Sequence, residues 1–127
     1  MLLDTHILLY FLNNDRRSSD SIKLLIEEIG DVFVSVISLW EIAIKHSIGK
    51  LSLDFELREL PGFLEQLEIQ ILPLTFTDIE QFSTLPFHHR DPCDRMLIAQ
   101  AIARSLVVVS ADPAFEAYPV QRIWDEA

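Results

Sequence analysis

A single cysteine, Cys93, leaves this chain without an internal disulfide and without the ligands for a cysteine-rich zinc centre. Glycine is nearly as scarce, at three in 127 residues. No Gly/Ser linker, repeat or low-complexity tract divides the sequence, so residues 1–127 read as one domain. Basic residues are outnumbered ten to twenty by acids, for a net charge of −10. That balance argues against broad nucleic-acid binding through basic surface. Apolar runs are short, far from the ~18–20 residues that span a bilayer. Met1-Leu2-Leu3-Asp4 also lacks the basic start of a signal peptide. No membrane association and a reducing cytoplasmic setting are therefore expected. A Gly-rich phosphate loop, a Ser or Cys nucleophile motif and an aromatic platform for stacking bases are absent as well.

What is present is enough apolar residue, half of the total, to bury a real core. Short β-branched runs alternate with helical patterns, as in a parallel α/β fold. Leu2-Leu3, Val32-Phe33-Val34, Ile69–Leu72, Leu106–Val109 and Val120–Trp124 read as strands. Helices are expected over Ile7–Leu12, from Ser19-Asp20 to Gly30, over Ser35–His46 with Gly49 as terminator, over Thr75–Ser83, and from Asp91-Pro92 to Ser105. Leu51–Leu67 suggests one or two short helices broken at Pro61-Gly62. Val36–Ile44 and Met96–Ala103 are apolar almost all round, so both should be largely buried.

Four acids, Asp4, Glu41, Asp94 and Asp112, fall at or just beyond strand-to-helix junctions of this pattern. Each has a purely structural reading. Asp4 and Asp112 can cap the helices that follow them, and Asp91, ahead of Pro92, is a natural N-cap. Glu41 closes Ser38-Leu39-Trp40-Glu41, the pattern of a capping box, and faces Lys45 four residues on. Asp94 suits the dipole of its helix and shares a face with Asp91, Ile98 and Ala101. Capping does not explain why the junctions carry acids repeatedly, with Thr5, Ser35, Ser38 and Ser110 beside them. In a parallel sheet the carboxyl ends of the strands share one edge, so these residues can meet there. Carboxylates gathered in one place repel, and a hard cation such as Mg²⁺ or Mn²⁺ is the usual way to hold them. Such a cation in a carboxylate pocket is a standard tool for phosphodiester hydrolysis.

The segments Leu3-Asp4-Thr5-His6, Ser35-Val36-Ile37-Ser38-Leu39-Trp40-Glu41-Ile42-Ala43-Ile44-Lys45, Asp91-Pro92-Cys93-Asp94-Arg95-Met96-Leu97-Ile98-Ala99-Gln100-Ala101 and Ser110-Ala111-Asp112-Pro113-Ala114-Phe115 resemble the PIN-domain proteins. Within that family the resemblance is to the VapC-type toxins of bacterial toxin–antitoxin pairs, and it covers essentially the whole chain. It implies a three-layer α/β/α fold around a parallel sheet of four to five strands. It implies a Mg²⁺- or Mn²⁺-dependent endoribonuclease that leaves a 5′-phosphate and a 3′-hydroxyl. The family's metal site carries over onto Asp4, Glu41, Asp94 and Asp112. Asp4 and Asp94 would hold the metal directly, Glu41 would act through water, and Asp112 would complete or orient the shell. Ser110 stands where the family commonly has Thr, and Thr5 is a second small hydroxyl by the site. Many relatives carry Asn in place of Asp112, and Phe in place of Cys93. Asp91 is an extra carboxylate beside Asp94. The resemblance further implies a cognate antitoxin, whose amphipathic segment would enter a groove near the early and middle helices, and a homodimer.

Lys45, Lys50, Arg90, Arg95 and the pair His88-His89 are candidates for contact with RNA phosphate, although a charged loop is more often simply solvated. The two adjacent histidines make a poor zinc site, because neighbouring side chains do not converge. The large apolar residues of Leu51–Leu72 read first as core. One competing reading is a non-catalytic PIN-like module that binds protein or RNA. A more distant one is a phosphoryl-receiving domain, which would need an acidic pair after the first strand and a lysine after the last. Asp4 stands alone, and no lysine follows Lys50.

Overall fold

The computed structural model describes residues 1–12, 24, 28 and 30–124. Five parallel strands form the central sheet: β1 (Leu2–Leu3), β2 (Val32–Ser35), β3 (Ile69–Leu72), β4 (Val108–Val109) and β5 (Arg122–Ile123), in the order β3-β2-β1-β4-β5. The helices are α1 (Thr5–Leu12), α2 (Val36–Ser47), α3 (Leu60–Gln66), α4 (Phe76–Ser83) and α5 (Pro92–Arg104), with single 3₁₀ turns at Leu57–Glu59 and Pro113–Ala117. The helix expected from Ser19-Asp20 to Gly30 lies largely outside the described residues. Strands β4 and β5 are shorter than the runs Leu106–Val109 and Val120–Trp124 suggested, because pairing covers only Val108–Val109 and Arg122–Ile123.

Side chains alternate across the strands, so each face of the sheet has its own core. Leu3, Val32, Val34, Ile69 and Val109 pack with Ile7 and Leu8 of α1, Ile42 of α2 and Leu60 and Leu64 of α3. Leu2, Leu72 and Val108 pack with Leu97, Ile98 and Ala101 of α5 and with Phe115 and Tyr118. This is the three-layer arrangement expected. Each fully buried Leu or Ile contributes roughly 1.5–3 kcal/mol to it. On the outer side, α4 is tied to α5 by a buried polar knot. Asp78, with no exposed surface, takes hydrogen bonds from Arg104 and Gln100, and it closes a capping box with Thr75.

Three local expectations change in the structure. Pro61-Gly62 does not break a helix: Pro61 sits in the first turn of α3, where a missing N–H is harmless, and the helix runs on to Gln66. Helix α2 begins at Ser35, whose hydroxyl accepts the Ile37 N–H at 3.0 Å, so Ser38-x-x-Glu41 is not its capping box. Nor is α2 buried all round. It turns Ser38, Glu41 and Ile42 inward and leaves Val36, Trp40, Ile44 and, beyond its end, Ile48 exposed at four-residue intervals. Gly49 does end the helix region, in the left-handed conformation at φ +74°. The expected burial holds in the middle of α5, from Leu97 to Ala101.

The chain steps outward from β1 to β2 to β3, then crosses back to add β4 on the other side of β1. The carboxyl ends of β1 and β4 therefore flank a topological switch point, the usual crevice for a ligand in an open parallel sheet. Asp4 leaves β1 there, and Ser110 and Asp112 leave β4.

Candidate metal centre

Each acid at this edge is set by local chemistry first. Asp4 caps α1: its Oδ1 accepts the Ile7 N–H at 2.8 Å, while the Ser110 hydroxyl donates to its Oδ2 across β1 and β4. Asp91 caps α5, with Oδ1 accepting from the N–H of Cys93 at 2.8 Å and of Asp94 at 3.3 Å, and Pro92 opens the helix. Asp112 caps the last 3₁₀ turn through the Ala114 N–H at 2.9 Å, and its own N–H donates to the Ser110 hydroxyl at 3.0 Å. Ser110 thus links Asp4 to Asp112. Glu41 comes from the inward side of α2 and pairs with Lys45 at 3.3 Å, the i,i+4 pair read from the sequence. Thr5 and Ser38 are both buried and hydrogen-bonded to each other at 3.0 Å, joining α1 to α2.

Two ligand-like clusters result. Donor atoms of His89, Asp94 and Asp112 lie within 4.8 Å of one another, and so do those of Glu41, Asp91 and Cys93. The two sets adjoin, because the charges of Asp91, Glu41 and Asp4 all act on Asp94. Burial, with those three carboxylates, lifts the Asp94 carboxyl from 3.8 to about 6, against the lowering influence of His89. Asp4 is also raised, by burial first and by the charge of Asp112, although its bonds from Ser110 and Ile7 pull the other way. Burial and the surrounding acids lift the Cys93 thiol to about 11, so it is an unreactive thiol here.

The donor set fits a hard divalent cation. Apart from His89 and Cys93 it consists of carboxylate oxygens, partly desolvated and destabilised by one another, with spare lone pairs on oxygens that already accept one hydrogen bond. Among the described residues, Lys45 is the cation that meets these acids, at Glu41, while the His89 imidazole lies 3.2 Å from Asp94 and 3.8 Å from Asp112.

His89, expected from the sequence only as a candidate RNA-phosphate contact, lies among the acids instead. The two adjacent histidines do diverge: the His88 ring meets Tyr118 edge-on while His89 turns to the acids. Divergence excludes a zinc pair and leaves one histidine free to join the acids, and the place of His89 just before Asp91-Pro92-Cys93-Asp94 is the sequence signal for it. Of the other basic candidates, Arg90 is exposed, and Arg95 stacks over Phe82 and Phe87 at 4.6 and 5.0 Å.

Comparison with known proteins agrees with this architecture. A PIN-domain family model matches residues 1–121. No curated protein sequence matches significantly. Among solved structures, the fold is similar to VapBC2 from Rickettsia felis bound to a DNA fragment from its promoter, with a TM-score of 0.76 at 17% identity over 97% of this chain and 96% of that one. It is also similar to FitAcB from Neisseria gonorrhoeae, with a TM-score of 0.70 at 24% identity, covering 96% of this chain and 95% of that one. A toxin–antitoxin complex from Klebsiella pneumoniae gives a TM-score of 0.65 at 16% identity over 96% and 94% of the two chains. With its family match spanning nearly the whole length and its acids at the carboxyl edge of a five-stranded parallel sheet, the chain belongs to the PIN-domain family.

Proposed function

We propose that this protein is a Mg²⁺- or Mn²⁺-dependent endoribonuclease and the toxin of a toxin–antitoxin pair. The observation that carries the reading is the grouping of Asp94 with Asp112 and His89 beside that of Glu41 with Asp91 and Cys93, with Asp4 tied to Asp112 through Ser110 and Asp94 lifted to about 6 by burial and the neighbouring carboxylates. Such an arrangement is costly unless a cation repays it. Asp4 and Asp94 would hold the metal, Asp112 would complete its shell, and Glu41 would hold the attacking water. When bound, a divalent cation makes that water a nucleophile near neutral pH and offsets the charge that develops on phosphorus.

The chain's own residues do the positioning. The Ser110 hydroxyl and the Ile7 N–H fix the two Asp4 oxygens, and the Ser110 hydroxyl also takes the Asp112 N–H. The Thr5–Ser38 bond holds α2, and with it Glu41, against α1. Lys45 balances Glu41. The acidic surface, at −10 overall, repels RNA at long range, so binding rests on the metal and on nearby cations such as Arg90 rather than on a basic face. Partner binding is supported by the exposed apolar row Val36, Trp40, Ile44 and Ile48, of the kind that marks protein contacts. A cognate antitoxin and a second copy of the chain are the partners proposed, in the cytoplasm. Among the described residues no helix is long and apolar enough to cross a membrane.

The test is incubation of the purified full chain with total cellular RNA and Mg²⁺ or Mn²⁺, beside an EDTA control and Asp94→Asn. Discrete fragments that vanish in both controls support the reading. Absence of both cleavage and Mn²⁺ binding would instead favour a non-catalytic PIN-like module.

A further inference from the structure

We propose that His89 is a positioning residue of the metal centre, its Nε2–H set between the carboxylates of Asp94 and Asp112. This rests on the reading of the acids as a metal site and adds a residue to it from outside the acid pattern.

Four contacts fix the ring. The Tyr118 hydroxyl accepts the backbone N–H of both His88 and His89, each at 3.0 Å, pinning the loop at this point. Tyr118 is itself buried, so the anchor is rigid. The imidazole lies edge-on to the buried Phe115, with centroids 6.5 Å apart and planes at 68°. Its Nδ1 accepts the Asp91 N–H at 3.0 Å. A backbone N–H can only donate, so Nδ1 must present its lone pair, and the neutral ring then carries its proton on Nε2.

That nitrogen lies 3.2 Å from Asp94 Oδ2 and 3.8 Å from Asp112 Oδ2, carboxylates delivered by different elements. A nitrogen bearing hydrogen has no lone pair to give a metal. His89 as held therefore faces the carboxylates with an N–H and is not a ligand. It places a positive hydrogen where two negative groups would otherwise meet alone. The same backbone contacts tie its position to the Asp91 cap, so the start of α5 and the ring move as one unit. Groups that orient metal-binding side chains in this way typically change metal affinity 10–100-fold when removed.

Glutamine and asparagine separate the two ends of the ring. His89→Gln keeps a donor at the reach of Nε2 and loses the acceptor for Asp91. His89→Asn keeps the acceptor and loses the donor. Mn²⁺ binding to the full chain, measured by calorimetry with circular dichroism to check folding, should weaken about tenfold or more in His89→Asn. In His89→Gln it should stay within about threefold of the parent, most of the orienting effect being retained. Equal binding by His89→Asn and the parent overturns the proposal, as does a loss in His89→Gln as large as in His89→Asn. Asp94→Asn is the reference: if it loses Mn²⁺ while both His89 variants bind normally, the metal site stands and the role of His89 falls. If Asp94→Asn binds like the parent, both fall. The unmutated protein gives a check that needs no variant to fold. The ¹⁵N shifts of His89 should report the Nε2–H tautomer, unchanged on adding Mg²⁺, and an Nδ1–H tautomer overturns the proposal.

Discussion

Replacing Asp94 by asparagine should make the metal-free protein more stable while removing its response to metal. Asp94 is largely buried, with its side chain 14% exposed, and burial together with Asp91, Glu41 and Asp4 lifts its carboxyl from 3.8 to about 6. Above the folded value the native state must hold a charge that the unfolded chain carries freely. The rise corresponds to ~3 kcal/mol lost from stability at neutral pH, an upper figure given relaxation of the site. The direction follows from proton binding. The native state binds the proton more tightly, so the stability associated with it is full below pH 3.8 and is lost as pH climbs through about 6. An amide of the same shape keeps an acceptor for His89 and carries no charge. Urea unfolding in EDTA should therefore give nearly equal midpoints for Asp94→Asn and the parent near pH 4. By pH 8 the variant should lead, by roughly 1 M urea if most of the effect survives. Mn²⁺ at about 1,000 times its dissociation constant should reverse the order, since it adds ~4.1 kcal/mol to the parent alone. A variant less stable than the parent in EDTA at pH 8 would refute the reasoning, because Asp94 would then be a net structural contact and not a strained ligand.

Mn²⁺ affinity of the parent should rise as pH passes from 5 to 7 and then level off, because the cation must displace the proton from Asp94; calorimetry at fixed ionic strength checks this, and a flat profile contradicts it. Ser110→Ala removes the donor to Asp4 and the acceptor for the Asp112 N–H, so it should cost about 1–3 kcal/mol in urea unfolding and weaken Mn²⁺ binding roughly tenfold. Tyr118→Phe leaves the His88 and His89 N–H groups without their acceptor, with a loss of about 1–3 kcal/mol and faster amide exchange at both positions. Arg104→Ala strands the fully buried Asp78 and should destabilise by about 3 kcal/mol. Burial pushes Asp78 up, but its bonds from Arg104, Thr75 and Gln100 outweigh this and hold it below the usual 3.8. The stability it contributes is therefore present above pH 3.8 and lost on acidification, and the parent's advantage over Arg104→Ala should shrink at low pH.

What the sequence by itself determined is the set of features that depend on a few neighbouring residues. The caps at Asp4, Asp91 and Asp112, the stop at Gly49 and the Glu41–Lys45 pair are all contacts within four positions, and short-range chemistry is enough to read them, as local apolar runs are enough to mark the five strands. Asp4 and Asp112 stand just after strands, as read, whereas Glu41 lies inside α2 and Asp94 opens α5 after a helix and a loop, so the junction reading holds for only two of the four. The PIN-like motifs made the fold legible as a whole. Tertiary structure alone decided which way things face. Periodicity marked α2 as apolar all round, yet packing against α1 and the sheet turned Ser38 and Glu41 inward and left Trp40 and Ile44 outside. The strand order that brings Asp4 beside Ser110, 106 positions away, is a matter of register, which no local pattern encodes. His89 shows this most plainly. Its ring reaches Asp94 because a tyrosine 29 residues downstream holds its backbone and Phe115 bounds its plane, and those constraints exist only once the chain has folded.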